Sequence, residues 1–411
     1  MNPLWLSHFT ATSSIGRGLG QTLAALRQRR SGLLPCAFDT VDLATFVGEV
    51  AGLDEVRLPA RLADYDCRNN RLALLGLTQD GFADAVRAAI ENHGRQRIGL
   101  FLGTSTSGIL QTELAYRRRD PATGALPAGF SYRSTHNTFS VAEFTRQYFG
   151  LTGPAVVVSS ACSSSAKVFA SARRMIAAGL IDAAVVGGVD SLCLTTLHGF
   201  SSLGLISEQA CRPFDAQRNG ISIGEAAAFA LLERSPEDAD DQAVLLLGIG
   251  ESSDAYHMSS PHPEGLGARM AMQDALKMAG LGSSEIDYIN LHGTATQSND
   301  AAEAKAVRQV FGSGTPCSST KGATGHTLGA AGGLEAVICA LGLRHGLLPG
   351  GLNTRPADPA LDLNYLLENR EQPVAHMLSN SFGFGGTNCS LVFGRAGNSA
   401  NKSADKSVHH P

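Results

Sequence analysis

Short aliphatic runs, most of them bounded by glycine, alternate along this chain with helical stretches, and that alternation restricts its possible folds more than any other feature. The runs are Arg97–Gly103 (RIGLFLG), Ala155–Ala161 (AVVVSSA), Ala183–Gly187 (AAVVG), Val244–Gly250 (VLLLGIG), Ile286–Leu291 (IDYINL) and Ser390–Gly394 (SLVFG). Short runs without polar alternation mark strands buried on both faces. Helical spacing marks Arg68–Asn92, Ser163–Ala178, Leu266–Ala279, Asn299–Phe311 and Leu328–His345. In the second of these, Val168, Phe169, Ala172, Met175 and Ile176 share one stripe. Strands and helices in alternation predict an α/β fold with layers packed on buried mixed or parallel sheets.

With 411 residues, 43% hydrophobic and 17% charged, the chain has the material for a large core and not the composition of a disordered one. The acidic, turn-rich Ser235–Gln242 (SPEDADDQ) is the expected junction of two halves. Thr104–Asn137, which holds Arg117, Arg118, Arg119 and Pro121, is a long polar insertion; at that size, function or an interface is its expected purpose. From Arg395 onward the polar sequence RAGNSANKSADKSVHHP predicts a disordered tail.

Several classes of function are disfavoured. A net charge of −4 gives no reason to expect nucleic-acid binding. Eight cysteines are scattered without a CxxC pair, which argues against a structural metal site and a disulfide scaffold. No run approaches the roughly 18 apolar residues of a membrane span. The first ten residues lack the pattern of a secretory signal, so the cytoplasm is the expected location.

Four segments carry candidate chemistry. In Val156–Lys167 (VVVSSACSSSAK) an apolar run leads into Cys162, and three serines open a helix. A thiol on such a strand-to-helix turn meets free backbone N–H groups and the positive end of a helix dipole. Both favour the thiolate, and the same amides can hold an oxyanion. A buried small residue before a serine-capped helix would read the same way. In Ile286–Ala304 (IDYINLHGTATQSNDAAEA), His292 ends a strand before a tight turn, and Asn299 is placed to cap the next helix. Lys321–Glu335 (KGATGHTLGAAGGLE) surrounds His326 with glycines that permit close packing, and Glu303 or Glu335 could neutralise a buried Lys321. Asn380–Asn388 (NSFGFGGTN) is a glycine turn displaying Phe382 and Phe384. Its amides could form an oxyanion site, and its rings could gate a tunnel.

Taken in this order, Cys162, then HGTAT, then KGATGH with GAAG, then GFGG, the four segments resemble the elongating β-ketoacyl-acyl-carrier-protein synthases of the thiolase-fold condensing enzymes. The likeness begins near Gly20–Leu33 and includes Arg212–Glu225 (RPFDAQRNGISIGE). It implies two pseudo-symmetric halves in an α-β-α-β-α sandwich. Residues 1–240 would carry the nucleophile and a pocket or dimer insertion at about 104–150, residues 241–395 both histidines, and 396–411 the tail. It implies a catalytic Cys162, His292 and His326 with Lys321 and supporting Glu303 and Glu335. Cys162 and Phe384 would form the oxyanion hole, and Phe382, Gly383, Phe384 and Gly385 the gate. The substrate pocket would include Thr106, Ser107, Gly108, Phe200, Thr294 and Thr296, the first three setting acyl-chain depth. Lys321, with Glu303 or Glu335, would fix His326.

The same likeness implies decarboxylative condensation of an acyl-enzyme with malonyl-carrier protein. No bound cofactor or metal is expected, since the substrate brings its own phosphopantetheine. The expected partners are an acidic carrier protein and a second chain, in a homodimer or in a heterodimer with a chain-length subunit. Arg61, Arg68 and Arg71 form one candidate carrier patch, and Arg117, Arg118 and Arg119 another. Two positions depart from the family pattern. Gln297 stands where proline usually follows the HGT turn, and Ala226 makes GEA of the usual GEG. They point to a divergent branch, and the wording GTSTSG and SSACSSSA resembles the aryl-polyene type. A non-catalytic chain-length subunit and a thiolase acting on acyl-coenzyme A are the competing readings.

Overall fold

The computed structural model describes residues 2–236 and 240–399. Ten strands carry the architecture: β1 (Leu4–Ser13), β2 (Ile98–Gly103), β3 (Ala155–Val158), β4 (Ala183–Asp190), β5 (Ala226–Arg234), β6 (Val244–Ser253), β7 (Tyr288–Asn290), β8 (Cys317–Ser318), β9 (His376–Gly383) and β10 (Thr387–Arg395). The first five align in the order β3-β2-β4-β5-β1 and the last five in the order β8-β7-β9-β10-β6. Each order is the other shifted by five strands. The pairing repeats as well: β3/β2, β2/β4, β8/β7 and β7/β9 are parallel, and the remaining pairs within each half are antiparallel. A short antiparallel seam, Leu4 opposite Leu246 and Trp5 opposite Leu245, joins the halves.

Two helices fill the space between the half-sheets: α1 (Ser164–Ala177) and α2 (Ala331–His345). From Ala331 to Leu343 every residue of α2 is buried, and the helix touches strands of both halves. This is why AGGLEAVICALGL is apolar on all sides, as a helix surrounded by protein must be. Helices Arg68–Leu77 and Leu266–Ala279 cover the outer faces of the first and second half-sheets. The result is five layers, α-β-α-β-α. Among the described residues no helix is long and apolar enough to cross a membrane.

Several elements differ from the sequence expectation. The stretch Arg68–Asn92 is two helices, Arg68–Leu77 and Phe82–His93, because Asp80 (φ 53°) and Gly81 (φ 69°) turn left-handed between them. The Asp80 carboxylate accepts from Thr10 Oγ1 at 2.7 Å and from the Leu19 amide. Strand β1 has no clean apolar pattern, since its sequence LWLSHFTATS carries hydroxyls that are buried and bonded, such as Ser7 to the Leu231 carbonyl. The insertion contains a helix, Ile109–Arg117, and Thr104, Thr106 and Ser107 within it are buried. Part of the expected junction, 237–239, lies outside the described residues. At the C-terminus β10 runs to Arg395 and Ala396–Ser399 form a helical turn, against the expectation of disorder there; the rest of the expected tail, 400–411, lies outside the described residues.

Candidate active site

Cys162 sits between β3 and α1 on a turn whose preceding residue, Ala161, has φ 53°. A non-glycine residue in that region is strained, and the neighbouring serines hold it there. Ser164 Oγ donates to the Ala161 carbonyl at 2.6 Å and accepts from the Ser160 amide at 2.9 Å, while Ser163 Oγ meets Thr387 Oγ1 at 2.9 Å. The turn lies close against β2, where a Cβ on Gly103 would stand 2.3 Å from the Ser165 nitrogen.

The second half delivers two imidazoles to this thiol. His326 Nε2 lies 2.9 Å from Cys162 Sγ, and its own amide donates to the Ser222 carbonyl at 2.7 Å. His292 stands edge-on to His326, ring centroids 5.3 Å apart at 83°. The backbone of His292 is held from below: its amide and that of Gly293 each donate to one oxygen of Glu303 at 2.8 Å, and Asn380 Nδ2 adds a third bond at 3.1 Å. The thiol sulfur and one nitrogen of each ring fall within 4.8 Å of one another.

Lys321 is buried at 1% exposure between Glu335 and His292. Its ammonium donates to the His292 carbonyl at 2.6 Å and lies 3.4 Å from His292 Nδ1. The expectation that Lys321 fixes His326 is therefore corrected: its contact is with His292. Of the two carboxylates offered as its partner, Glu335 is the one; Glu303 holds the His292 turn instead. With Lys321 donating to Nδ1, the proton of neutral His292 belongs on Nε2.

Burial sets the electrostatics. It lowers both imidazoles well below their ordinary range, helped by the nearby Lys321 charge, so both rings are neutral at neutral pH. It also pushes the Cys162 thiol up to about 11, against the pull of Lys321 and of the backbone amides of Phe384 and Cys162 that lie against the sulfur. Desolvation, with the Asp190 charge on the same side, outweighs Lys321 and these amides and favours the thiol over the thiolate. Glu303 and Glu335 are each raised to about 7 by burial.

A cavity opens onto Cys162, His292 and His326, walled by Phe200, Thr294, Thr296, Phe382, Gly383 and Phe384. Phe382 packs on His292 at 5.8 Å, and Phe384 meets Phe200 at 5.5 Å. Gly385 (φ 80°) and Gly386 (φ 74°) make the turn that sets Phe384 over the opening, and the Gly385 amide bonds the Met258 carbonyl at 2.7 Å. Leu205, Ile221, Asp254, Ser260 and Pro261 also line the cavity. Sequence reasoning missed them; of these, only Asp254 carries a signal, as an acid just after the Val244–Ser253 strand.

Other expected residues lie elsewhere. Thr106, Ser107 and Gly108 do not line this cavity. Thr106 bonds Asp190, Ser107 bonds the Thr135 and Asn137 carbonyls, and a Cβ on Gly108 would meet the Thr135 carbonyl at 2.4 Å. Arg68 is not a surface cation. It is 5% exposed and pairs with buried Glu225 at 2.7 Å and with Glu49 and Asp54. Arg71 is paired with Asp66 at 2.6 Å, Arg61 donates to the Gln147 and Tyr148 carbonyls, and Arg117 pairs with Asp39. Arg118 and Arg119 are exposed. The helix after the HGT turn is capped by Thr296, whose side chain accepts from the Asn299 amide, and not by Asn299. Gln297, where the family pattern has proline, opens that helix and donates to the Arg218 carbonyl at 2.6 Å.

Comparison with known proteins agrees with this geometry. Residues 68–238 match the family described as "Beta-ketoacyl synthase, N-terminal domain", and residues 243–355 match "Beta-ketoacyl synthase, C-terminal domain". The 3-oxoacyl-acyl-carrier-protein synthase 2 of Vibrio cholerae is 31% identical over 408 residues, 93% of this chain and 96% of that one. The mitochondrial 3-oxoacyl-acyl-carrier-protein synthase of Arabidopsis thaliana is 41% identical over 263 residues, 60% of this chain and 57% of that one. Among solved structures, a ketosynthase from Xenorhabdus doucetiae in complex with its chain length factor superposes with a TM-score of 0.88 at 38% identity, covering 96% of this chain and 98% of that one.

Proposed function

The chain belongs to the β-ketoacyl synthase family, condensing acyltransferases of the thiolase fold, and on that premise we propose that Cys162, His292 and His326 carry its condensation. The observation that carries this reading is the 2.9 Å contact between Cys162 Sγ and His326 Nε2, with His292 beside it.

In the first half-reaction Cys162 sulfur attacks the carbonyl of an acyl thioester on the phosphopantetheine arm of a carrier protein. The thiol proton passes to His326 Nε2. The amides of Cys162 and Phe384, which lie against the sulfur, receive the negative charge on the carbonyl oxygen. The carbon–sulfur bond to pantetheine then breaks, and the departing thiolate takes the proton back from His326 Nε2, which leaves the ring neutral. In the second half-reaction malonyl-carrier binds. Carbon dioxide leaves, and its bonding electrons enter the thioester as an enolate whose oxygen accepts from His292 Nε2–H. A neutral donor suits this role, because it must present a proton without surrendering it. The enolate carbon attacks the acyl-Cys162 carbonyl, the sulfur leaves as a thiolate that takes up a proton from water, and β-ketoacyl-carrier protein is released. Holding both partners in place supplies roughly 7–11 kcal/mol of such a barrier. The pantetheine belongs to the substrate, and no step draws on a resident metal or organic cofactor.

The partners are a carrier protein and a second chain of related fold. Support for the second comes from β3, the end strand of its half-sheet, where Val156 is 37% exposed on an edge open to pairing. The Xenorhabdus doucetiae ketosynthase was solved with a chain length factor, which favours a heterodimer and elongation of a polyketide or polyene chain. For the carrier, the exposed Arg118 and Arg119 are the proposed docking cations.

The test is condensation by purified protein with acyl- and malonyl-carrier protein. Cys162→Ala abolishes product, and Cys162→Gln leaves malonyl decarboxylation. Product from Cys162→Ala overturns the reading, and equal turnover of coenzyme A thioesters returns the thiolase alternative.

A further inference from the structure

Asp190 ends β4 with its side chain fully buried, at 0% exposure. Each hydrogen bond found for its side chain among the described residues comes from a neutral donor. Thr104 Oγ1 donates at 2.7 Å, the Ser105 amide at 2.8 Å, the Thr106 amide and Oγ1 both at 2.9 Å, and Ser105 Oγ joins them. The sixth donor comes from the other half of the molecule: the Gly329 amide, 2.6 Å from Oδ2. A buried carboxylate needs such a shell, because an unmade bond to it costs the full desolvation of the charge.

Gly329 lies three residues after His326. A Cβ there would stand 2.7 Å from Asp190 Oδ2, so only glycine lets the amide approach. Between them Leu328 has φ 51°, a conformation the turn must be held in. The turn from His326 to Gly329 is therefore pinned at both ends, by the Ser222 carbonyl on the His326 amide and by Asp190 on the Gly329 amide. The ring it carries touches the Cys162 sulfur.

We infer that Asp190, held by the Thr104–Thr106 segment, is a positioning residue that fixes where His326 meets Cys162. On this account Thr104, Ser105 and Thr106 of GTSTSG exist to satisfy a carboxylate and align the catalytic base. The inference rests on the proposed role of His326. Thr106 is the informative handle, because its hydroxyl both donates to Asp190 and accepts from the Ser191 amide at 3.2 Å, and its removal takes away no ionisable group.

The experiment reads condensation kcat and KM together with the rate of Cys162 alkylation by iodoacetamide. Thr106→Val lowers kcat about tenfold with KM for the acyl-carrier unchanged, since small misplacements of a catalytic group act on turnover. It also slows alkylation about threefold, and Thr106→Ser recovers most of both losses. In a His326→Ala background Thr106→Val alters alkylation less than about 1.5-fold, because residues acting through one another are non-additive. The same fold-loss in both backgrounds overturns the inference, as does a changed KM or product length with kcat kept. If His326→Ala itself leaves alkylation and condensation at the wild-type rate, the proposed function fails instead. Should Thr106→Val not fold, Ser105→Ala, which removes another side-chain donor to Asp190, is read in the same two backgrounds with the same deciding outcomes.

Discussion

Lys321 Nζ lies 2.6 Å from the carbonyl oxygen of His292 and 3.4 Å from its Nδ1, so one buried ammonium fixes both the backbone and the tautomer of that imidazole. Glu335 neutralises the same ammonium from the opposite side. A charge in the interior persists when it is paired in this way or fully hydrogen-bonded.

Removing one member of this pair strands the other. Lys321→Ala destabilises the fold by about 3–5 kcal/mol in urea unfolding, the usual cost of an uncompensated buried charge. Lys321→Met combined with Glu335→Leu recovers most of the stability and still fails to decarboxylate malonyl-carrier, because His292 loses the donor that sets its tautomer. Decarboxylation at the wild-type rate by that double variant refutes the tautomer role.

The thiol of Cys162 is pushed up to about 11. A raised thiol pKa means the neutral form dominates at pH 7 and the thiolate fraction keeps growing into alkaline solution. The iodoacetamide alkylation rate of Cys162 accordingly rises through pH 9 without a plateau. A midpoint below about pH 8 contradicts the burial argument.

Glu303 is raised to about 7 by burial, from an ordinary value of 4.5. Between those values the folded state holds a proton that the unfolded state has released, so stability falls as pH rises through this window. The wild type loses on the order of 3 kcal/mol relative to Glu303→Gln between about pH 4.5 and pH 7, since one proton held only by the folded state costs about 1.4 kcal/mol for each pH unit climbed. Parallel stability-against-pH curves for the two proteins rule this out.

Arg68 pairs with Glu225, which is fully buried and also accepts from the Val50 and Leu192 amides. Arg68→Ala costs about 3–5 kcal/mol of stability and leaves KM for the carrier protein unchanged. Arg118→Glu with Arg119→Glu does the reverse, raising KM, and more so at low salt. Steady-state kinetics at two ionic strengths beside thermal unfolding separate the two patches.

Phe384 and Phe200 meet at 5.5 Å across the opening to the sulfur. Phe384→Ala lets a bulky maleimide reach Cys162 at least about tenfold faster while iodoacetamide gains little, a steric difference read from the ratio of two alkylation rates. Equal acceleration of both reagents argues against a gate.

How much of this was legible in the chain depends on whether the signal was local. The apolar runs, the strand-to-helix placement of Cys162, and the glycine turns around His326 and Phe384 are set by neighbours in sequence, and all appear where the residues put them. The left-handed Asp80–Gly81 break was also local; the apolar spacing on either side concealed it. Strand β1 was hidden because its buried Ser7 and Thr10 hydroxyls find partners far along the chain, which no short window reveals.

The residue pattern determined the α/β class, and the likeness of four ordered motifs to a known family implied the two halves and singled out the thiol and two imidazoles. Tertiary structure decided their energetics and their partners. Burial raises the Cys162 thiol against the pull of Lys321 and two backbone amides, and Lys321 serves His292 because folding brings residues 29 apart into contact. Arg68 and Thr106 belong to the interior because each meets a buried carboxylate, Glu225 or Asp190, from a distant strand region. Desolvation and long-range pairing depend on what surrounds a group in space, and sequence order records only what adjoins it along the chain.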